Sequence, residues 1–202
     1  MLRLALMFSL LAFNLAAAGA ESPRVRMATA LGDIVVEIDA EAAPITAGHF
    51  LALVDDGAFA NGASFYRAVR LDNQPRSPVR IEVIQGGLGS VREVDVEPVA
   101  HETTEVTGLR HVDGAISMAR LAPGTATSEF CFCINDQPEL DFGGARNPDG
   151  QGFASFGRVV EGMNVVRAIQ AGATRRRPED GSDYDGQLLV EPVRIETIKR
   201  TE

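Results

Sequence analysis

An arginine and a glutamine on two neighbouring predicted strands are the side chains in this sequence best placed to do chemistry. Residues 64–69 alternate apolar and polar side chains in the period of a strand and include Arg67. Residues 81–87 read as a second strand, which includes Gln85 and ends on two glycines. If the two strands are paired, a permanent cation and a neutral amide share one face beside an apolar surface. We therefore predict a site that holds a carbonyl group.

The elements that must position this pair are short strands and two helices. Residues 25–30 and 33–38 predict a hairpin. One amphipathic helix begins near Pro44 and ends at Gly57, and a second begins near Met163 and ends at Gly172. Four further strands are predicted over residues 115–119, 128–134, 153–160 and 192–199. About eight strands and two helices predict a mainly β fold, a closed eight-stranded antiparallel barrel capped by two α-helices.

Two long connections interrupt the predicted strands. Residues 70–78 contain two prolines and no periodicity, which predicts an exposed loop. Residues 88–111 are mostly polar and predict a long irregular connection.

The first 20 residues have the pattern of a cleaved export signal. Arg3 precedes an apolar run that is too short to span a membrane, and small residues ending at Ala20 suit a signal peptidase. We expect a signal peptide over residues 1–20, one domain over residues 21–202, and a periplasmic or secreted protein that does not associate with the membrane after cleavage.

The net charge of −9 argues against nucleic acid as a partner, because phosphate backbones are bound by clustered cations. The dense basic run at residues 175–177 precedes Glu179, Asp180, Asp183 and Asp185, and we interpret this segment as a solvated loop that compensates its own charge.

Two cysteines and three histidines offer little metal or redox chemistry. Cys131 and Cys133 are two apart on one predicted strand, where a disulfide would be strained, and we expect reduced, buried thiols. His111, Asp113 and Ser117 lie close in sequence as in a hydrolase, but no nucleophile-elbow motif accompanies them. His101, Glu102 and Glu105 are expected to be solvated. No metal site and no cofactor are predicted.

Seven short segments carry a family resemblance: 43–46 with Phe50, 64–67, 85–87, 114–119, 128–130, 140–141 and 156–163. In order and approximate spacing, they resemble the cyclophilin family of peptidyl-prolyl cis-trans isomerases. The resemblance extends over about residues 25–200 and suggests an exported bacterial member. It implies an eight-stranded antiparallel barrel closed by two helices, in agreement with the pattern of strands.

The implied reaction is rotation about the peptide bond before proline. The barrier of about 18–20 kcal/mol comes from amide resonance, so the catalyst needs no nucleophile, general base or cofactor. By resemblance, Arg67 is the catalytic donor to the prolyl peptide, and Gln85 holds the substrate backbone and steadies the arginine. The residues implied in substrate binding are Tyr66, Val83, Ala119, Arg120, Leu121, Glu129, Cys131, Leu140 and Phe153.

The sequence departs from the family at several of these positions. Tyr66 replaces a usual histidine, and Glu129 replaces a glutamine and could ion-pair with Arg67 or Arg120. Cys131 falls where a phenylalanine floors the proline pocket, so the pocket is expected either to be wider or to be rebuilt from Leu140, Phe153 and Val83. A shift of one residue would present Phe132 instead, but the ungapped alignment is favoured. The connection between the two site strands is also about ten residues longer than in a compact cyclophilin.

The expected partners are proline-containing segments of unfolded or exposed proteins, bound by a monomer that assists the folding of exported proteins. The departures at Cys131 and Glu129 leave an alternative open, a peptide-binding or chaperone module with weak or no isomerase activity.

Overall fold

The computed structural model describes residues 21–89, 95–176, 184 and 186–201. The predicted signal peptide and most of the predicted charge-compensating loop after residue 176 lie outside the described residues. Within the described part of the chain, no helix is long and apolar enough to cross a membrane.

Nine strands and three α-helices, one of them a single turn, make up the regular structure of the described residues. Two 3₁₀ turns, Ala58–Asn61 and Pro138–Leu140, supplement them. The strands are β1 (Arg24–Thr29), β2 (Gly32–Ile38), β3 (Ser64–Val69), β4 (Val83–Gly87), β5 (Ala115–Met118), β6 (Phe130–Cys133), β7 (Ala154–Glu161), β8 (Thr174–Arg175) and β9 (Leu188–Thr201). The helices are α1 (Pro44–Asp55), α2 (Thr104–Thr107) and α3 (Met163–Gln170).

Eight of the strands close into a barrel, which confirms the predicted fold class. The hydrogen-bonded order is β1-β2-β7-β5-β6-β4-β3-β9, and β1 pairs with β9 to close the ring. All pairings are antiparallel, and the two-residue β8 adds to β9 outside the ring. Because a closed sheet has no free edge, every barrel strand is paired on both sides.

The last strand is longer than predicted. We expected it to begin at Pro192. The observed β9 begins at Leu188 and contains the proline beside an irregularity in its pairing with β3, where Phe65 faces Val193 but Arg67 faces Leu188. The extension aligns the start of β9 with Arg67.

Phenylalanine rings fill the barrel interior. Phe50 from α1 meets Phe130 and Phe156 with ring centroids 5.7 and 5.1 Å apart, and Phe65 meets Phe130 edge-on at 5.9 Å. All four rings are fully buried. Tilted and edge-on contacts at these spacings are favourable beyond the area they bury, and they fix α1 over one end of the barrel.

The connection after residue 70 is not simply the exposed loop that we predicted. Gln74 is only 2% exposed. Its side-chain amide donates to the carbonyls of Arg70 at 2.7 Å and Ile81 at 2.8 Å and accepts from the N–H of Ile81 at 3.2 Å. The amide thereby replaces the strand partners that this segment lacks and holds the loop against the barrel.

Glu102, predicted to be solvated, is also buried. Its carboxylate accepts the N–H groups of Ile45 at 3.2 Å and Thr46 at 2.5 Å, at the start of α1. Ala43 at the N-cap position has no side chain that could bind them. A carboxylate from a distant part of the chain therefore caps this helix and complements its dipole. The described residues contain no group of three or more His, Cys, Asp or Glu side chains that could hold a metal ion.

Candidate active site

Arg67 and Gln85 lie directly opposite each other on β3 and β4. Arg67 Nη1 donates to Gln85 Oε1 at 2.8 Å. Burial lowers the pKa of Arg67 to about 10, which still leaves the guanidinium charged at neutral pH. The two strands thus present a fixed cation beside a neutral amide, as the strand periodicity indicates.

A β-bulge brings Tyr66 to the same site. Phe65 faces Gly86 and Arg67 faces Gln85, so two residues of β3 oppose one residue of β4. Successive side chains of a regular strand point to opposite faces, and the bulge relaxes that rule here. The Tyr66 hydroxyl accepts from Gln85 Nε2 at 2.8 Å.

Glu129 does not pair with an arginine in the described contacts, although the sequence allowed an ion pair with Arg67 or Arg120. Its carboxylate accepts from the Tyr66 hydroxyl, from the N–H of Gly89 at 2.7 Å and from Ser128 Oγ at 3.2 Å. A tyrosine and a backbone N–H just after β4 take the places of those cations.

The glycine that ends β4 is required by this close packing. A Cβ built on Gly87 would lie 2.6 Å from Glu129 Oε1, and the φ of Gly87 is +144°. Both the space and the backbone conformation therefore exclude other residues.

A continuous chain of hydrogen bonds results from these contacts. It runs from Glu129 through the Tyr66 hydroxyl and the Gln85 amide to the Arg67 guanidinium. Burial and the adjacent Glu129 raise the pKa of Tyr66 far above its ordinary value, so the hydroxyl remains a donor. Because Tyr66 donates to the carboxylate, it can only accept from Gln85, and Gln85 must therefore direct its oxygen toward Arg67.

Arg120 is part of the pocket wall, and its charge is already paired. Its side chain is only 1% exposed and binds Asp149 at 2.7 and 2.9 Å and the carbonyl of Gly152 at 2.9 Å. The guanidinium carbon lies 5.2 Å from the centre of the Phe153 ring. Hydrogen bonds from Arg120 lower the pKa of Asp149 to about 2. Arg120 therefore braces Phe153 and does not present an unpaired charge.

A small apolar cluster forms the floor of the pocket. It contains the four residues predicted for it, Val83, Cys131, Leu140 and Phe153. Phe132 packs into the main core instead, which agrees with the ungapped alignment. Burial raises the pKa of the Cys131 thiol to about 12, so it behaves as a small apolar side chain.

Ile81 joins this floor and was missed by sequence reasoning. It is 6% exposed and packs in the same cluster. The long connection carries Ile81 to the floor because Gln74 folds the connection back on itself. The apolar start of the segment 81–87 was the available signal, but the loop before it had no predictable path.

All eleven sequence-predicted site residues line one groove of about 1280 Å³. Leu121 is at its rim and is 86% exposed. The groove residues with predicted roles are Tyr66, Arg67, Val83, Gln85, Ala119, Arg120, Leu121, Glu129, Cys131, Leu140 and Phe153.

Two further side chains contact Arg67 and were not anticipated. Gln187 Oε1 accepts from Arg67 Nε at 2.9 Å and from Nη2 at 2.6 Å. The centre of the Tyr184 ring lies 4.4 Å from the guanidinium carbon. Both residues come from the segment before β9, which carried no signal beyond polarity in the sequence.

His111 and Ser117 do converge, although no nucleophile-elbow motif in the sequence indicated that they would. His111 Nε2 lies 2.9 Å from Ser117 Oγ, and His111 Nδ1 lies 2.7 Å from an oxygen of Asp141, which takes the place expected for Asp113. Burial alone would raise the pKa of Asp141, but the hydrogen bonds from His111 outweigh burial and lower it. Ser117 is fully buried and His111 is 1% exposed, so this network supports the core and does not line the groove.

The comparison with family models decides the family. The model of the cyclophilin type peptidyl-prolyl cis-trans isomerase/CLD family matches residues 24–199. The chain belongs to the cyclophilin family. The expected enzyme class, a peptidyl-prolyl cis-trans isomerase, is thereby confirmed.

Named relatives of this cyclophilin agree with the assignment. A peptidyl-prolyl cis-trans isomerase of Streptomyces antibioticus is 33% identical over 180 residues, which are 87% of this chain and 96% of that protein. Peptidyl-prolyl cis-trans isomerase B of Escherichia coli is 33% identical over 168 residues, 81% of this chain and 94% of that protein. A solved Cryptosporidium parvum cyclophilin type isomerase has a TM-score of 0.64, covers 90% of this chain and 98% of its own, and at 19% identity supports the fold alone.

Proposed function

We propose that Arg67 is the catalytic residue of this isomerase, and that the groove accelerates rotation about Xaa-Pro bonds in unfolded or exposed segments. The observation that carries the proposal is a buried guanidinium held by neutral amide oxygens beside an apolar floor. The amides orient the cation without neutralising it.

The chemistry follows from what the transition state needs. Twisting the peptide bond breaks resonance, returns a lone pair to the proline nitrogen and changes the charge on the carbonyl oxygen. A fixed cationic donor favours that twisted state over the planar one, and only such differential stabilisation raises the rate. Gln85 holds the neighbouring backbone of the substrate and keeps Arg67 in place. No bond is made or broken.

The apolar floor would seat the proline ring. Ile81, Val83, Cys131, Leu140 and Phe153 form a cluster next to Arg67 and carry no charge. A second solved Cryptosporidium parvum structure of the family, determined in the presence of the dipeptide ala-pro, supports a proline-containing ligand here. Cysteine in place of a larger aromatic residue predicts a wider floor.

We further propose that the protein acts as a monomer on the folding of exported bacterial proteins in the periplasm or outside the cell. The apolar run, the preceding arginine and the small residues up to Ala20 support this location. N-terminal sequencing of protein from the periplasmic or secreted fraction tests it. A mature chain beginning at Glu21 is expected, and an uncleaved N-terminus in the cytoplasm would contradict export.

Exchange spectroscopy on a short Xaa-Pro peptide tests the catalytic proposal against the alternative of a binding module. Wild-type protein is expected to bind the peptide and to accelerate exchange between its cis and trans resonances. The Arg67→Ala variant is expected to retain binding within a few fold and to lose most of the exchange. Equal exchange rates in the two proteins would remove Arg67 from catalysis, and peptide binding by wild-type protein without exchange would favour the module.

A further inference from the structure

A second glutamine, Gln187, contacts the guanidinium of Arg67. It does so from the other side of β3, because β3 lies between β4, which carries Gln85, and β9, which Gln187 precedes. Gln187 lies 120 positions after Arg67 and immediately before β9. Its single side-chain oxygen accepts from both Nε and Nη2, at 2.9 and 2.6 Å. Gln85 binds the other terminal nitrogen, Nη1. The two amide oxygens therefore hold all three nitrogens of the guanidinium.

Gln187 is itself firmly held. It is 3% exposed, and its side-chain Nε2 donates to the carbonyl of Asn73 at 3.1 Å. Its backbone carbonyl accepts from the N–H of Ala68, the residue after Arg67, at 2.9 Å. Because the side-chain nitrogen has an acceptor, the oxygen must face Arg67.

The long connection between β3 and β4 supplies this support. Asn73 lies within it and donates through Nδ2 to the carbonyls of Ala68 at 2.9 Å and Gly186 at 3.1 Å. One asparagine thus ties the strand of Arg67 to the segment of Gln187. The connection has a structural purpose that its sequence did not reveal.

The arrangement suits the proposed reaction. A guanidinium has five N–H donors. The two glutamines accept from three of these donors. Among the described contacts, the other two N–H groups of Arg67 are available to a substrate. Neutral oxygens fix the plane of the group and leave its full charge available, whereas a carboxylate would offset it. The Tyr184 ring covers one face of the guanidinium at 4.4 Å and restricts its tilt.

We propose that Gln187 is a positioning residue of this isomerase, which acts through Arg67 and fixes the guanidinium plane together with Gln85. The proposal rests on the catalytic role proposed above for Arg67. It assigns the segment before β9 and the long connection to the catalytic machinery.

Two substitutions of Gln187 distinguish the loss of its hydrogen bonds to Arg67 from the loss of its packing. Gln187→Ala removes the acceptor oxygen, and Gln187→Met removes it but retains most of the side-chain volume. Each is expected to lower kcat about tenfold or more, because an oriented hydrogen bond to a charged group is lost, with KM within about twofold. Gln170→Ala is the matched control, since its amide also binds β3, at the carbonyl of Val69 at 3.1 Å, without contacting Arg67. The control is expected to retain wild-type kcat.

A double-mutant cycle with Arg67→Ala tests whether Gln187 acts through Arg67 or independently of it. If Gln187 acts through Arg67, adding Gln187→Met to Arg67→Ala changes the residual rate less than twofold. An undiminished tenfold loss in that background, or a kcat of Gln187→Met equal to wild type, would overturn the proposal. Thermal unfolding of each variant is followed, and a tenfold loss of kcat at unchanged KM in a folded protein is the supporting result. Wild-type activity in Arg67→Ala itself would instead refute the proposed function.

Discussion

Removing one hydroxyl, with Tyr66→Phe, should weaken catalysis without touching Arg67. The hydroxyl donates to Glu129 and accepts from Gln85 Nε2 at 2.8 Å. In the variant, Glu129 keeps the N–H of Gly89 and the hydroxyl of Ser128. The Gln85 amide, which is 7% exposed, is left with an N–H that has no acceptor.

The expected magnitude follows from those two losses. A hydrogen bond to a charged group is worth about 1.5–3 kcal/mol, and an unsatisfied buried donor costs about 1–3 kcal/mol. Because Glu129 retains two partners, we expect the free energy of unfolding to fall by about 2–3 kcal/mol. Gln85 also loses the contact that directs its oxygen toward Arg67. A loss of about 1.4 kcal/mol in transition-state stabilisation corresponds to a tenfold lower kcat/KM.

A protease-coupled assay on a proline-containing peptide measures kcat/KM, and urea unfolding measures stability. Thr107→Val is a matched control, because its hydroxyl accepts only the N–H of Leu109 at 3.2 Å among the described contacts and lies outside the groove. Its kcat/KM is expected to equal wild type. If Tyr66→Phe is destabilised but its kcat/KM stays within twofold of wild type, the hydrogen-bond chain does not orient Gln85.

Three further outcomes are expected. His111→Ala breaks a buried network and should reduce the free energy of unfolding by about 2–4 kcal/mol in urea titration, with kcat/KM near wild type; a large loss of activity at unchanged stability would contradict its structural role. Glu102→Ala removes the cap of α1 and should cost about 1–2 kcal/mol in the same titration; unchanged stability would refute the cap. Burial raises the pKa of Cys131 to about 12, so iodoacetamide should leave native protein at pH 8 nearly unmodified, with a rate that keeps rising above pH 10. A rate that levels off near pH 9 would indicate an ordinary thiol.

The local pattern of the sequence was sufficient to predict the barrel and the pairing of Arg67 with Gln85 at the centre of the site. Strand period placed Arg67 and Gln85 on neighbouring strands, and the resemblance to the family indicated Val83 and Leu140 as parts of the floor. Each of these follows from short-range alternation or from the order of family motifs. The structure brings them together as the pattern requires.

The features that were missed depend on contacts between distant segments. Gln187 reaches Arg67 across 120 positions, and Glu102 caps α1 across more than 50. Gln74 is buried because its amide imitates a backbone partner, which hydropathy alone cannot indicate. The bulge at Tyr66 reverses the facing of one side chain relative to strand period. These contacts are made by polar residues in irregular segments, and hydrophobic periodicity does not predict where such residues lie.

The central claim is that a positioned guanidinium does the catalysis, and Arg67→Lys tests it most directly. Lysine retains the positive charge but cannot donate to Gln85 and Gln187 in the fixed geometry of a fork. We expect the kcat/KM of Arg67→Lys on a short Xaa-Pro peptide to fall at least a hundredfold, nearly as far as that of Arg67→Ala. Arg200→Ala, which removes a surface ion pair with Asp55, should remain at wild type. An Arg67→Lys variant with wild-type kcat/KM would contradict the account.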